Sequence, residues 1–390
     1  MSEAKPFDIP KREVWEAFKK VKANHGAAGV DGESVAAFEA KLADNLYKLW
    51  NRLSSGTYFP PPVRRVDIPK ASGGMRPLGI PTVADRVAQE VVRRYLEPLL
   101  EPRFHQDSYG YRPGRSAIDA VRTTRQRCWR ADWVLDLDIQ GFFDSIEHEL
   151  LLKALRHHTT CRWVVLYVER WLKAPTQLEG GSLEPRVAGT PQGGVISPLL
   201  ANLFLHYVFD RWMERTHPQV PFARYADDII CHCRTEHEAI ALRARLEERF
   251  AACRLRMHPQ KTKVVYCKDT NRTGAYPVVS FTFLGYTFQP RLAKWPNGKY
   301  GVSFLPAASR SALKDIRKAI RLWGLQRRSD KDLDDLARMF GPYIRGWINY
   351  YSHFYKSALY PTLQLIDLHL ARWVQRKFKS YRQRPRGARM

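Results

Sequence analysis

Two short stretches of this chain place carboxylates on strand patterns, and that placement limits the folds open to it. Trp133-Val134-Leu135-Asp136-Leu137-Asp138-Ile139 alternates apolar and acidic residues with period two, the mark of a half-exposed strand with Asp136 and Asp138 on one face. Tyr225-Ala226-Asp227-Asp228 lies between Phe222-Ala223 and Ile229-Ile230, the pattern of two strands joined by a tight turn. Clustered carboxylates need a reason here, because the chain is strongly basic: 64 Lys and Arg stand against 39 Asp and Glu, a net charge of +25. Carboxylates on neighbouring strands can hold two divalent ions roughly 3.5–4 Å apart. Magnesium suits such a site, since it takes oxygen ligands and keeps waters that phosphates can replace. An isolated Asp-Asp pair is more often only a solvated turn.

The 390 residues are enough for two or three domains, and 44% hydrophobic content excludes disorder as the main state. No apolar run approaches the roughly 18 residues of a membrane span, and the opening MSEAKPFDIPKRE is too charged for a signal peptide. Cys128, Cys161, Cys231, Cys233, Cys253 and Cys267 form no C-x-x-C pair, so neither a zinc ribbon nor a disulfide framework is indicated. The expectation is a cytoplasmic protein with a polyanionic partner and no membrane association; a charge of this size points to nucleic acid.

Residues 10–60 read as helical with a Gly-rich break at 26–32, and Pro60-Pro61-Pro62 ends them. A hairpin over 63–80 turns at Gly73-Gly74 and leads to a helix at 84–100. Helices are expected from about Ser145, over 197–215 and over 239–250, and strands at 264–267 and 281–288. Past about 305 the pattern is helical, with stripes at Leu313, Ile316, Ile320 and Trp323, at Leu333, Leu336, Ala337 and Phe340, and at Ile366, Leu370, Trp373 and Val374. Residues 301–390 carry a net charge of +13.

Taken with its neighbours, the acidic turn becomes recognisable. Phe222-Ala223-Arg224-Tyr225-Ala226-Asp227-Asp228 resembles the Y-x-D-D box of reverse transcriptases. Gly189-Thr190-Pro191-Gln192-Gly193-Gly194-Val195-Ile196-Ser197-Pro198-Leu199-Leu200-Ala201-Asn202 resembles their nucleotide-binding segment in its group II intron form. Asp138-Ile139-Gln140-Gly141-Phe142-Phe143-Asp144 is similar to the block with the first metal-binding aspartate, and Ile68-Pro69-Lys70 through Pro81 to the fingers hairpin. Ser108–Ser116, His258–Lys263 and Phe283-Leu284-Gly285-Tyr286 match further blocks in order, and Gly341–Tyr351 resembles the maturase (domain X) signature. The resemblance runs from about residue 20 to 375.

It implies an α+β right-hand polymerase: an N-terminal helical extension at 1–63, fingers and palm at 64–290, and an α-helical thumb/maturase region at 291–390. It also implies two Mg²⁺ ions, replaceable by Mn²⁺, on Asp138, Asp227 and Asp228. Asp136 shares the strand face but not the family's ligand position. Nucleotide contacts are implied for Lys70, Arg76, Ile139, Phe143 (as a ribose gate), Gln192 and Lys261, with Lys263 an equal rival to Lys261. Template or primer contacts are implied for Arg112, Arg115 and Tyr225. Asp144 reads as a helix cap, in a capping box with Glu147. Strand alternation makes Cys231-His232-Cys233 core rather than a metal site.

The partners implied are an RNA template, a DNA or RNA primer, deoxynucleoside triphosphates and a group II intron RNA whose splicing and mobility the protein assists. No Cys/His spacing of an H-N-H endonuclease follows Tyr381, so an endonuclease-lacking member is expected. Two alternatives stay open: a free-standing relative adapted to DNA repair or phage defence, and an RNA-binding splicing cofactor with little polymerase activity.

Overall fold

The computed structural model describes residues 5–69, 74–295 and 298–381, the side chain of Lys379 aside. Helices α1 (Lys11–Ala23), α2 (Val35–Ala40) and α3 (Leu42–Ser55) come first, then β1 (Val63–Pro69), β2 (Met75–Ile80) and α4 (Val83–Leu100). Next are α5 (Ala117–Cys128), β3 (Trp133–Asp138), α6 (Phe142–Ser145), α7 (His148–His158), α8 (Arg162–Lys173), β4 (Thr176–Gln177) and β5 (Leu183–Glu184). They are followed by α9 (Ser197–Leu205), α10 (Arg211–Thr216), β6 (Phe222–Tyr225), β7 (Asp228–Cys233), α11 (Glu236–Ala252) and β8 (Lys263–Tyr266). The last are β9 (Phe281–Phe283), β10 (Tyr286–Lys294), β11 (Tyr300–Ala308), α12 (Arg310–Trp323), α13 (Leu333–Tyr351) and α14 (Tyr360–Lys377). Helix and sheet are thus mixed, in line with the expected class.

The chain forms two compact units. One draws on Met1–Arg115, Leu137–Ile229 and Ala241–Thr262, the other on Ser116–Asp136, Ile230–Ile240 and Lys263–Met390. In the first, α1 buries Val14, Ala17, Phe18 and Val21. Helix α4, capped by Thr82, is buried around its whole first half, including Asp85, Gln89 and Glu90. Strands β1 and β2 form the expected antiparallel hairpin, with Ile68 opposite Arg76. Their sheet runs β2-β1-β4-β5, so Pro77 sits on an edge strand, where a missing N–H is tolerated. The acidic strands belong to a sheet of order β6-β7-β3-β8.

The second unit holds a sheet of order β11-β10-β9. Its last three helices close on Ile316, Ile320, Leu325, Leu336, Phe340, Ile366 and Trp373. Trp323 stacks on Phe340 and Trp347 with ring centroids 4.6 and 5.2 Å away.

Four local expectations are corrected. The strand at 281–288 breaks at Leu284-Gly285, both at positive φ, and continues as the long hairpin β10/β11, with Tyr286 opposite Ala308. Leu333 is 57% exposed and Ala337 is exposed, so the α13 stripe narrows to Leu336 and Phe340. The helix over 197–215 contains one turn of π-helix, His206–Asp210. Finally, Glu147 alone caps α7, accepting from Leu150 N at 2.7 Å. Gly141 at φ 56 first starts the one-turn α6, so Asp144 falls inside that turn and Ile146 is extended before α7 begins.

Candidate active site

All the predicted site residues with described positions lie in the first unit. Ala226 and Asp227 form a two-residue turn between β6 and β7, with Ala226 at φ 56. A left-handed residue with a Cβ costs roughly 1–2 kcal/mol, so its surroundings must hold it there. The turn lifts Asp227 out of the strand, while Asp228 opens β7. Burial raises Asp227 above the usual carboxylate range; the nearby Asp138 carboxylate adds to this, and Arg76 and Lys261 pull the other way. Asp138 ends β3 and meets the Lys261 ammonium at 3.0 Å. Two carboxylates and two cations therefore converge where β3 ends and the turn begins.

The donor set is one that magnesium accepts. It consists of oxygens, one carboxylate is destabilised by its neighbour's charge, and Lys261 shows that a cation is favoured at Asp138. Among the described residues no three His, Cys, Asp or Glu side chains make a ready cage. Asp138 and Asp227 are brought together, with Asp228 next to Asp227 at the start of β7, and water and substrate phosphates would complete the shell of a metal held there.

The loop after Gly189 is tied down against β2 and the α6 turn. Gln192 O accepts from Gly79 N at 2.7 Å, Thr190 N donates to Phe143 O at 2.8 Å, and Gly189 N donates to Ile146 O at 2.7 Å. Gly193 has φ 116, and a Cβ there would meet Gly79 O at 2.5 Å, so only glycine lets the loop lie against β2. Phe143 is half-exposed while its neighbour Phe142 is buried, their rings 5.4 Å apart. Ile139 is 3% exposed and bridges Met257, which leaves only its backbone to face a ligand. Arg76 is exposed on β2, and Lys70 lies outside the described residues. In the second unit Lys263 opens β8 opposite Asp136.

The segment 108–115 separates two arginines. Arg112 is 8% exposed and each of its guanidinium nitrogens is engaged: with the Glu101 carboxylate at 2.9 and 2.7 Å and with main-chain oxygens of Glu101, His105 and Ser108. The described guanidinium donors of Arg112 are thus engaged within the protein. Arg115 is exposed, beside the Tyr109 ring. Tyr225 is half-buried, its ring 6.3 Å from that of Tyr111, whose phenol is held above its ordinary pKa by loss of solvation around the hydroxyl and by the charge of Asp227.

Sequence reasoning missed two supports. Arg224, one residue before Tyr225, is fully buried and paired with Asp210. Asp85 is also fully buried, accepting from Tyr58, Trp171 and Gln89. Gln89 in turn accepts from Ile196 N at 3.3 Å in the Gln192 loop. Polar residues on an otherwise buried helix face were the available signal for Asp85 and Gln89; nothing local marked Arg224. Cys231, His232 and Cys233 are all buried, as expected of core.

The profile described as Reverse transcriptase (RNA-dependent DNA polymerase) matches residues 68–288, and that of the Group II intron, maturase-specific domain matches residues 313–389. Protein YkfC of Escherichia coli (strain K12) is 34% identical over 298 residues, 66% of this chain and 74% of that protein. Group II intron-encoded protein LtrA of Lactococcus lactis subsp. cremoris is 38% identical over 193 residues, 49% of this chain and 32% of LtrA. The Putative COX1/OXI3 intron 1 protein of Saccharomyces cerevisiae is 31% identical over 198 residues, 51% of this chain and 24% of its own length. The aligned part thus spans about a third of LtrA and a quarter of the yeast protein. Among the described residues no helix is long and apolar enough to cross a membrane.

Proposed function

The chain belongs to the reverse transcriptases, the RNA-directed DNA polymerases, in their group II intron form with a maturase-specific region, and from that premise we propose that it copies RNA into DNA by two-metal nucleotidyl transfer and binds a group II intron RNA to assist its splicing. In this reading 64–290 are fingers and palm, 1–63 an N-terminal extension, and 291–390 the thumb and maturase region.

The reaction joins a primer 3′-hydroxyl to the α-phosphorus of a deoxynucleoside triphosphate and releases pyrophosphate. Asp138 and Asp227, with Asp228 as the weaker third ligand, would hold magnesium, which supplies hydroxyl activation and charge neutralisation. Arg76 and Lys70 clamp the triphosphate from the hairpin, since guanidinium and ammonium offset phosphate charge. Lys261, at Asp138, carries its cation to the leaving pyrophosphate. Gln192 faces the nucleotide from a loop braced on Gly79. Phe143 blocks a 2′-hydroxyl and the Ile139 main chain borders the same pocket. Arg115 and Tyr225 take template and primer by phosphate pairing and stacking, while Arg112 holds their loop from inside.

The observation that carries the proposal is the Asp138–Asp227 pair flanked by Lys261 and Arg76. Its test is extension of a primer on an RNA template by the full chain with deoxynucleotides and Mg²⁺. Synthesis by the natural protein and none by Asp138→Asn is the expected result; no synthesis by the natural protein would overturn the reading.

A further inference from the structure

Directly under the turn that carries Asp227 sits a buried ionic cluster that the polymerase chemistry does not itself use. Arg224 and Asp210 are both 0% exposed. Arg224 donates from Nε to Asp210 Oδ1 at 2.7 Å and from Nη2 to Oδ2 at 2.6 Å, a bidentate pair. Its remaining Nη1 donates to Asn202 Oδ1 and to the main-chain oxygen of Ala226, both at 3.1 Å. Asn202 extends the network, donating to Gly110 O at 2.7 Å. Gly110 lies so close to the turn that a Cβ on it would meet Ala226 N at 2.5 Å. The backbone of Arg224 is pinned as well, donating to Asp107 O at 2.9 Å and accepting from Tyr109 N at 2.8 Å.

Apolar side chains of the same volume commonly hold a core as well as a buried ion pair does, so stability alone does not account for this cluster. What it adds is direction. A guanidinium fork fixed on a carboxylate can aim a third donor at one carbonyl, and the carbonyl it aims at belongs to Ala226, the left-handed residue that delivers Asp227. Asp210 is the last residue of the π turn between α9 and α10, an irregularity often found at functional sites.

We propose that Arg224 is a positioning residue: with Asp210 and Asn202 it clamps the Ala226 carbonyl and so sets where the Asp227 carboxylate stands against Asp138. The proposal rests on the polymerase reading above. It names a task for residues that touch neither substrate nor metal.

Two variants separate positioning from packing. Arg224→Lys keeps a buried cation for Asp210 but has no fork to reach Asn202 and Ala226. The double variant Arg224→Met with Asp210→Leu removes both charges at similar volume and leaves no orphan carboxylate. Each is made in the full chain and measured twice: by hydrogen–deuterium exchange over residues 222–230 without metal, and by primer extension with kcat and the nucleotide KM determined separately. The expected result is a folded double variant whose amides at Ala226 and Asp227 exchange at least tenfold faster. Its kcat should fall about 10²-fold, the scale of a misplacement near 1 Å, with primer–template affinity unchanged. Natural exchange and natural kcat in either folded variant would overturn the proposal, and so would loss of folding in both, which would make the cluster a core element only. The exchange arm needs no turnover: should the natural protein extend no primer, the polymerase reading fails while the clamp is still judged.

Discussion

Lys261 Nζ lies 3.0 Å from Asp138 Oδ2, joining a loop after α11 to the end of β3. The lysine side chain is 59% exposed, so the pair adds little stability. In the proposed reading it holds a cation at the carboxylate until substrate arrives. Lys261→Met should leave the melting temperature within a degree or two but slow primer extension about tenfold or more, read by single-turnover kinetics. An unchanged rate would remove Lys261 from the proposed role.

If Asp227 is the metal ligand proposed above, Asp227→Ala should lower extension by roughly 10³-fold or more, because such a ligand is worth several kcal/mol at the transition state. RNA affinity should stay close to natural, because one partly buried carboxylate contributes nothing to phosphate binding. Filter binding beside a primer-extension gel checks both. A variant that extends normally would remove Asp227 from the ligand set.

Phe143→Ala tests sugar selection. The ring is half-exposed while Phe142 fills the core beneath it, so truncation should cost little stability. Discrimination between deoxy- and ribonucleotides should drop about tenfold or more, measured as the ratio of the two kcat/KM values. An unchanged ratio would make Phe143 a packing residue.

Asp85 predicts a pH effect. Burial raises it from 3.8 to about 6, against hydrogen bonds from Tyr58, Trp171 and Gln89 that favour the ionised form. The folded state thus holds the Asp85 proton more tightly than the unfolded chain does. Its stabilising contribution is complete below pH 3.8 and is lost as pH rises through 6, a change of about 3 kcal/mol. Asp85→Asn cannot ionise. Urea denaturation at pH 4, 6 and 8 should show the natural protein losing about that much relative to the variant. Parallel curves would mean that Asp85 is ionised at no cost.

The helical region after residue 309 predicts a split between two activities. Arg372 and Arg376 are exposed on α14, and Lys377 follows them with its ammonium bound to Lys331 O. Replacing Arg372 and Arg376 with Gln should weaken binding of a group II intron RNA and lower its salt slope by about one for each phosphate left without its cation. Splicing should fall more than extension on a short primer–template. Equal losses would assign this face to nucleic-acid binding in general.

Much of the site was legible because short-range rules write it. Period-two alternation located β3, the acidic turn stands where β6 and β7 meet, and Gly193 lies where a loop presses on another backbone. The hairpin β1/β2 and the helices before it follow from turn residues and apolar stripes in the same way. The sequence by itself therefore determined which residues form the elements and which carboxylates they carry. Only the tertiary structure decided the pairings. Lys261 finds Asp138 across 123 positions, and Arg224 finds Asp210 through a π turn no local pattern announced. Arg112 finds Glu101, eleven positions earlier, and the main chain of His105 and Ser108. Leu333, periodic with Leu336, faces solvent because no neighbouring helix covers that edge of α13 among the described residues. Alternation and capping depend on residues a few positions apart, whereas a charge's partner depends on which distant segment packing brings within hydrogen-bonding reach.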